Sequence, residues 1–429
     1  MILKKCNILV LPCGTEIGLE INRSLMLSRH VNVFGISSVD SNHGKYVYKN
    51  YIEENIPSVD KINFVGYLNR IIKKYRIDLV YPAHDNVVLS LARLQGSINA
   101  QYIGSPLMTC EVCRSKRLTY TRFHNLIQTP HMYASPLEVT DYPVFLKPDV
   151  GQGSKGTHIA YNKEEVKIYQ KNDPSLMVLE YLPGKEFTID CFTNNKNELL
   201  FVGGRERVRT SNGISINSRI VKDKTFVTIA EIISNELVFK GAWFFQLKVN
   251  HGGNYSLLEI APRIAGTMSL YRNMGVNFPL LSIFDAQNKK VQIDINKYPD
   301  IAVDRALAAK FDLKIRYRHV YVDLDDTILD SDSKINIELI SFLYQCINNE
   351  IQIHLLTRSK KDVLKVLIAS KINEIFDEII VIRDDENKSK YIQHNDSIFI
   401  DDSFSERLDV KHTKNIYTFS PDMIESLLE

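Results

Sequence analysis

The sequence predicts a multidomain protein of mixed α/β and α+β class. Three observations carry that expectation. Strand and helix signals alternate over the first hundred residues, short strands come in pairs joined by glycine-bearing loops from about Pro106 to Ala286, and a fresh strand–helix alternation begins at Val320. At 429 residues the chain also exceeds what one hydrophobic core ordinarily organises.

Residues 7–11 read as a buried strand that runs into the Gly14/Gly18 loop and a helical stretch to about Ser28. A second strand follows at 31–36, an amphipathic helix at 64–75 and a third strand at 77–81. This alternation predicts a parallel sheet with helices on its faces. Gly14 and Gly18 could border an acceptor site, but tight-turn glycines are the preferred reading. Strands at 143–147 and 176–180 follow, then the pairs 187–192 with 199–203 and 243–249 with 255–260, a pattern that suits antiparallel sheets. Residues 291–315, with Lys297-Tyr298-Pro299-Asp300, read as a connecting segment. From there the expected order is strand 320–324, helix 334–348, strand 351–356, helix 360–370, strand 378–382, helix 387–394 and strand 396–400. The resulting domains are 1–106, 107–290 and 316–429.

Composition narrows the function. With 53 basic and 51 acidic residues, nothing favours a nucleic-acid or membrane partner, although a local positive cluster could still hold a small anion. No stretch approaches the ~20 apolar residues of a membrane helix. Six cysteines at this length make no disulfide framework, and the Cys110/Cys113 pair lacks a second pair at zinc spacing. The expected setting is the cytoplasm, with oligomeric state left open.

Two ordered motif sets carry the chemistry. In the first, His319-Val320-Tyr321-Val322-Asp323-Leu324-Asp325-Asp326-Thr327 puts two carboxylates just past a buried strand, where open parallel sheets bind ligands. An aspartate nucleophile beside a second aspartate able to protonate a leaving oxygen is a workable phosphotransfer pair. Thr357 ends the next strand, Lys388 or Lys390 precedes the last one, and Asp401-Asp402 follow it as oxygen donors suited to magnesium. This ordered set resembles the four motifs of the haloacid dehalogenase superfamily, from about residue 316 onward. The resemblance implies a small doubly wound phosphatase domain without a cap. Asp323 would be the nucleophile and Asp325 the general acid/base. Thr357 and Lys388 would hold the phosphoryl group, and Asp323, Asp325, Asp401 and Asp402 would hold the metal, with Glu406 supporting it.

In the second set, a strand ending in Lys147 precedes the loop Gly151-Gln152-Gly153-Ser154-Lys155-Gly156, whose backbone N–H groups could close over phosphates. Glu180-Tyr181-Leu182 and Glu186 follow, and then a hairpin brings Gln246 and Glu259 to one side with Arg263 close behind. The series resembles the ATP-grasp superfamily over about residues 1–290, including a Rossmann-like preceding half, and most nearly its carbamoyl-phosphate-synthetase-like branch. By that resemblance Lys116 and Lys147 contact nucleotide phosphates, with Gly151, Gly153, Ser154 and Gly156 in the lid. Glu180 and Leu182 lie at the adenine and Glu186 at the ribose. Gln246 and Glu259 bind magnesium, and Arg263 meets the γ-phosphate. The family's Asn two residues beyond the metal-binding Glu is Ala261 here, which cannot ligate a cation. Arg205, Arg207 and Arg209 alternate along one expected strand face and could grip a substrate anion, or could be a solvated edge.

The combined expectation is a bifunctional enzyme using ATP and magnesium, or manganese in its place. A small-molecule carboxylate would be activated as an acyl phosphate for an amine or another nucleophile, and the phosphatase would act on a related phosphorylated small molecule. A kinase, or an ATP-sensing module governing the phosphatase, are the alternatives.

Overall fold

The computed structural model describes residues 5–296, 301–311, 313–330 and 332–429. They form two compact units, Met1–Leu307 and Ala308–Glu429.

The first unit begins with a five-stranded parallel sheet in the order Asn50–Tyr51, Val31–Gly35, Cys6–Leu11, Leu79–Pro82, Gln101–Tyr102. Along the central strand, Ile8 and Val10 enter one apolar cluster and Leu9 and Leu11 another, so both faces are covered. The helix Phe64–Tyr75 buries Phe64, Leu68, Ile71 and Ile72. That spacing makes a single stripe, each large side chain contributing about 1.5–3 kcal/mol on burial. The strand order reverses at Cys6–Leu11, which opens a crevice at the carboxyl ends of the two central strands.

Two antiparallel sheets complete this unit. One has four strands in the order Met132–Tyr133, Leu176–Glu180, Val144–Pro148, His158–Ala160. The other has six, in the order Tyr255–Ala261, Gly241–Val249, Glu186–Thr193, Leu199–Ser211, Ile214–Val221, Ala302–Asp304. The last of these corrects the sequence reading. Residues expected in the connecting segment supply an edge strand, Asn217 pairing with Asp304 and Arg219 with Ala302. The Lys297-Tyr298-Pro299-Asp300 part of that segment lies outside the described residues.

The second unit is a five-stranded all-parallel sheet in the order Glu378–Val381, Gln352–Thr357, His319–Val322, Ser397–Ile400, Tyr417–Phe419. Val320 and Val322 pack on one face, Tyr321 on the other. Asn336 caps the helix Ile337–Asn348 by accepting from the Leu339 N–H at 3.1 Å. The helix expected over 387–394 is a single 3-10 turn, Lys388–Tyr391. Lys388 and Ser389 are both buried there.

Candidate functional site

A cleft in the first unit is lined by apolar Phe145, Leu179, Leu182 and Leu258 together with Lys116, Lys147 and the 151–155 loop. A second cleft, of about 1200 Å³, is lined by Glu16, His84, Asp85, Ala261, Arg263 and Thr267. Both are bordered by Lys116, the Gly151–Gly153 turn, Arg207, Gln246 and Glu259, so they are two lobes of one cavity. Gln246 faces Glu259 directly across the hairpin. A register shift between Gln246 and Leu247 re-aims the strand there, as bulges do beside functional sites.

Lys147 ends its strand buried, its Nζ donating to the Tyr120 hydroxyl at 2.6 Å, which in turn donates to the Leu258 carbonyl at 2.8 Å. Burial, and after it the nearby charge of Lys116, push Lys147 down to about 7. Lys116 Nζ donates to the Gly151 carbonyl at 3.1 Å, tying the glycine loop to the helix Lys116–Phe123. Gly153, at φ +60, sits in the left-handed region that glycine tolerates. Gly156 shares that region at φ +70, and so does Ser154 at φ 53. Glu180 accepts from the His131 N–H at 3.2 Å, and Glu186 pairs with Arg207 at 2.8 Å.

Arg263 is fixed by a partner that the sequence reading missed. Asp85 takes it in a two-pronged pair at 2.6 and 2.8 Å, and the guanidinium lies over the Phe244 ring at 5.2 Å. Burial pushes the Asp85 carboxyl up, and the guanidinium outweighs it, leaving the group below its ordinary value. The available signal was the position of His84-Asp85, just past the carboxyl end of a central parallel strand.

The three-arginine face does not exist as a face. Arg205 is wholly buried in a pair with Asp190 at 2.5 Å and also contacts Thr267. Arg207 borders the cavity, while exposed Arg209 pairs with Asp304 at 2.9 Å. Register shifts on either side of Arg209 break the alternation that the sequence suggested. Gly14 and Gly18 are packing glycines: a Cβ on Gly18 would fall 2.6 Å from the Pro12 and Cys13 carbonyls, and one on Gly14 would strike Asn42. Cys110 and Cys113 are buried thiols.

The second unit gathers its acids at the carboxyl end of its sheet. Lys388 Nζ bridges Asp323 at 2.7 Å and Asp401 at 2.6 Å, all three buried. Lys390 is exposed, so Lys388 is the lysine at this cluster. Burial raises Asp323 and takes Asp401 up to about 6, against the pull of Lys388. One oxygen each from Asp323, Asp401 and Asp402 lie within 4.8 Å of one another. Asp325 is turned toward Lys361 at 2.8 Å. Asp326, at φ 55, makes the turn that returns the chain to Thr327, whose hydroxyl accepts from the Asp402 N–H at 3.0 Å. The Thr357 hydroxyl is within reach of Asp323. Glu406, expected beside the metal, is held instead by Arg358. Arg407 braces the backbone here, donating to the carbonyls of Asp401 at 2.5 Å and Asp402 at 2.6 Å.

Comparison with known proteins bears on the first unit. Residues 172–306 match the family described as ATP-grasp in the biosynthetic pathway with Ter operon. The chain is 28% identical over 114 residues to a D-alanine–D-alanine ligase of Clostridium botulinum (strain Loch Maree / Type A3), a match covering 23% of this chain and 38% of that one. Among solved structures, N5-carboxyaminoimidazole synthetase from Staphylococcus aureus, complexed with ADP, superposes with a TM-score of 0.59 at 15% identity, over 71% of this chain and 84% of that one. The biotin carboxylase domain of Hydrogenobacter thermophilus 2-oxoglutarate carboxylase, in complex with MgADP, ADP and bicarbonate, does so at 0.58 and 13%, over 68% and 72%. These likenesses establish the fold. Among the described residues no helix is long and apolar enough to cross a membrane.

Proposed function

We propose that the first unit is an ATP-dependent carboxylate–nucleophile ligase, of the carbamoyl-phosphate-synthetase-like branch, and that the second is an aspartate-nucleophile phosphohydrolase. The observation that carries the first reading is the cavity itself: two lobes meet at Gln246 and Glu259. ATP fits the lobe with an apolar wall and two lysines, its terminal phosphate directed at the junction. The acid fits the other lobe, near Arg263. A carboxylate oxygen attacks the terminal phosphorus, releasing ADP and an acyl phosphate, and an amine or other nucleophile then displaces phosphate. Lys116 and Lys147 neutralise charge on the phosphates, Arg263 is pre-oriented by Asp85, and Gln246 and Glu259 offer the oxygen donors that magnesium takes. Magnesium there would screen the phosphate charge during transfer.

In the second unit Asp323 attacks phosphorus while Asp325 gives its proton to the departing oxygen, and water then cleaves the aspartyl phosphate. Lys388 holds the buried Asp323 and Asp401 charges together. Asp323, Asp401 and Asp402 match the hard oxygen set of a magnesium site. Fusion of the two activities raises the local concentration of a shared phosphorylated compound.

Ala261 favours a second reading. Its methyl lines the acid lobe where the family pattern has a metal-ligating Asn, so the first unit would bind ATP without turnover and govern the phosphatase. Measuring ADP release from the full chain over pools of acids and amines separates the two. The ligase requires release that depends on both reactants and falls in Glu259→Gln. ATP binding with no release under any pool, together with a phosphatase rate that follows ATP, would establish the sensor instead.

A further inference from the structure

We infer that the second unit carries a transition-metal site, built from His319, His354 and His394, at the edge of its sheet opposite the carboxylates. His319 opens its strand, His354 is the third residue of the neighbouring strand, and His394 stands three residues before the strand on the other side. Because all the strands are parallel, these positions share the amino end, whereas Asp323, Thr357 and Asp401 share the carboxyl end.

One nitrogen from each imidazole lies within 4.8 Å of the other two. His319 Nδ1 and His354 Nε2 are 3.1 Å apart. Two ligands at about 2.0–2.1 Å from a tetrahedral centre are separated by roughly 3.3 Å, so this pair is nearly in position. His394 stacks on His319 with centroids 3.5 Å apart and planes 2° from parallel, and because imidazole lone pairs lie in the ring plane its ring must tilt out of that stack to become the third donor.

The surroundings are those of a metal site and not only of packed rings. Glu378 Oε2 lies 3.0 Å from His354 Nδ1, and Asp396 Oδ1 lies 4.0 Å from His319 Nε2. Glu378 on the far nitrogen of His354 sets the tautomer that leaves its near nitrogen bare for a cation, while Asp396 beside His319 lies beyond hydrogen-bond distance. The hydrogen between His319 and His354 would pass to His319 Nε2, facing Asp396, so two neutral rings ligate with no net loss of a proton. His319 and His394 are only half-buried, leaving the cluster open to an entering ion. Three imidazoles select a borderline divalent ion such as zinc over magnesium, with water completing the shell.

The test uses the full chain, stripped with chelator and titrated with Zn²⁺ by calorimetry in magnesium-containing buffer, with Co²⁺ absorption as a second probe. The expected result is one Zn²⁺ per chain, with ligand-field bands of a nitrogen-rich site on Co²⁺. Affinity should fall at least about tenfold in His394→Ala and about 10–100-fold in Glu378→Gln, and survive in Asp402→Asn. Glu378 is half-exposed, so its variant remains informative if the histidine variant does not fold. Absence of stoichiometric zinc binding overturns the site. So does binding that Asp402→Asn abolishes and Glu378→Gln leaves intact.

Discussion

Lys147 occupies a place where its own charge is costly until an anion arrives. Burial brings its pKa down to about 7, so its charge is easily lost near neutral pH while the site is empty. A bound triphosphate favours the protonated form, and nucleotide binding should therefore take up protons near pH 7 and weaken as pH rises through that value. Calorimetry of a non-hydrolysable ATP analogue in buffers of different ionisation enthalpy measures this uptake, which Lys147→Met should remove. A second residue-scale outcome concerns Arg205. Its role here is to neutralise buried Asp190, so Arg205→Leu should cost about 3–5 kcal/mol of stability, read by denaturant unfolding, because a buried charge loses its partner. A substrate arginine would instead change KM with stability kept. The sequence could not separate these roles: the motif positions Lys147, Gln246 and Glu259 were legible from local pattern, whereas Asp190 and Asp85 act through partners 15 and 178 positions away.

Among elements, those with a clear apolar period were readable from sequence. The helix Phe64–Tyr75 and the strand Leu176–Glu180 have the bounds that their patterns suggest. Elements defined by a partner were not. Ala302–Asp304 is a strand only because Ile214–Val221 offers it an edge, and the turn Lys388–Tyr391 is short because Lys388 is drawn inward by two carboxylates. This yields a truncation prediction. A chain ending at residue 307 should be more stable than one ending at 296, which bares the Ile214–Val221 edge and loses the Arg305–Glu16 pair. Differential scanning would show a lower Tm for the shorter chain, by roughly 2–4 °C for each kcal/mol lost.

At the scale of the whole molecule, two units with separate apolar clusters should fold separately. The segment 308–429 expressed alone should unfold cooperatively and hydrolyse an aryl phosphate in the presence of magnesium. Asp323→Asn should lower that rate on the order of 10³-fold or more without unfolding it, since the nucleophile acts as part of a unit with its neighbours. The central claim rests on the other unit. Its most direct test is oxygen transfer: the full chain carrying Asp323→Asn, ATP, magnesium, amines and ¹⁸O-labelled carboxylic acids, with phosphate followed by phosphorus NMR. Carboxylate activation requires one labelled oxygen to pass from the acid into each phosphate released alongside ADP. Release of unlabelled phosphate, or of no ADP with any acid, would contradict it.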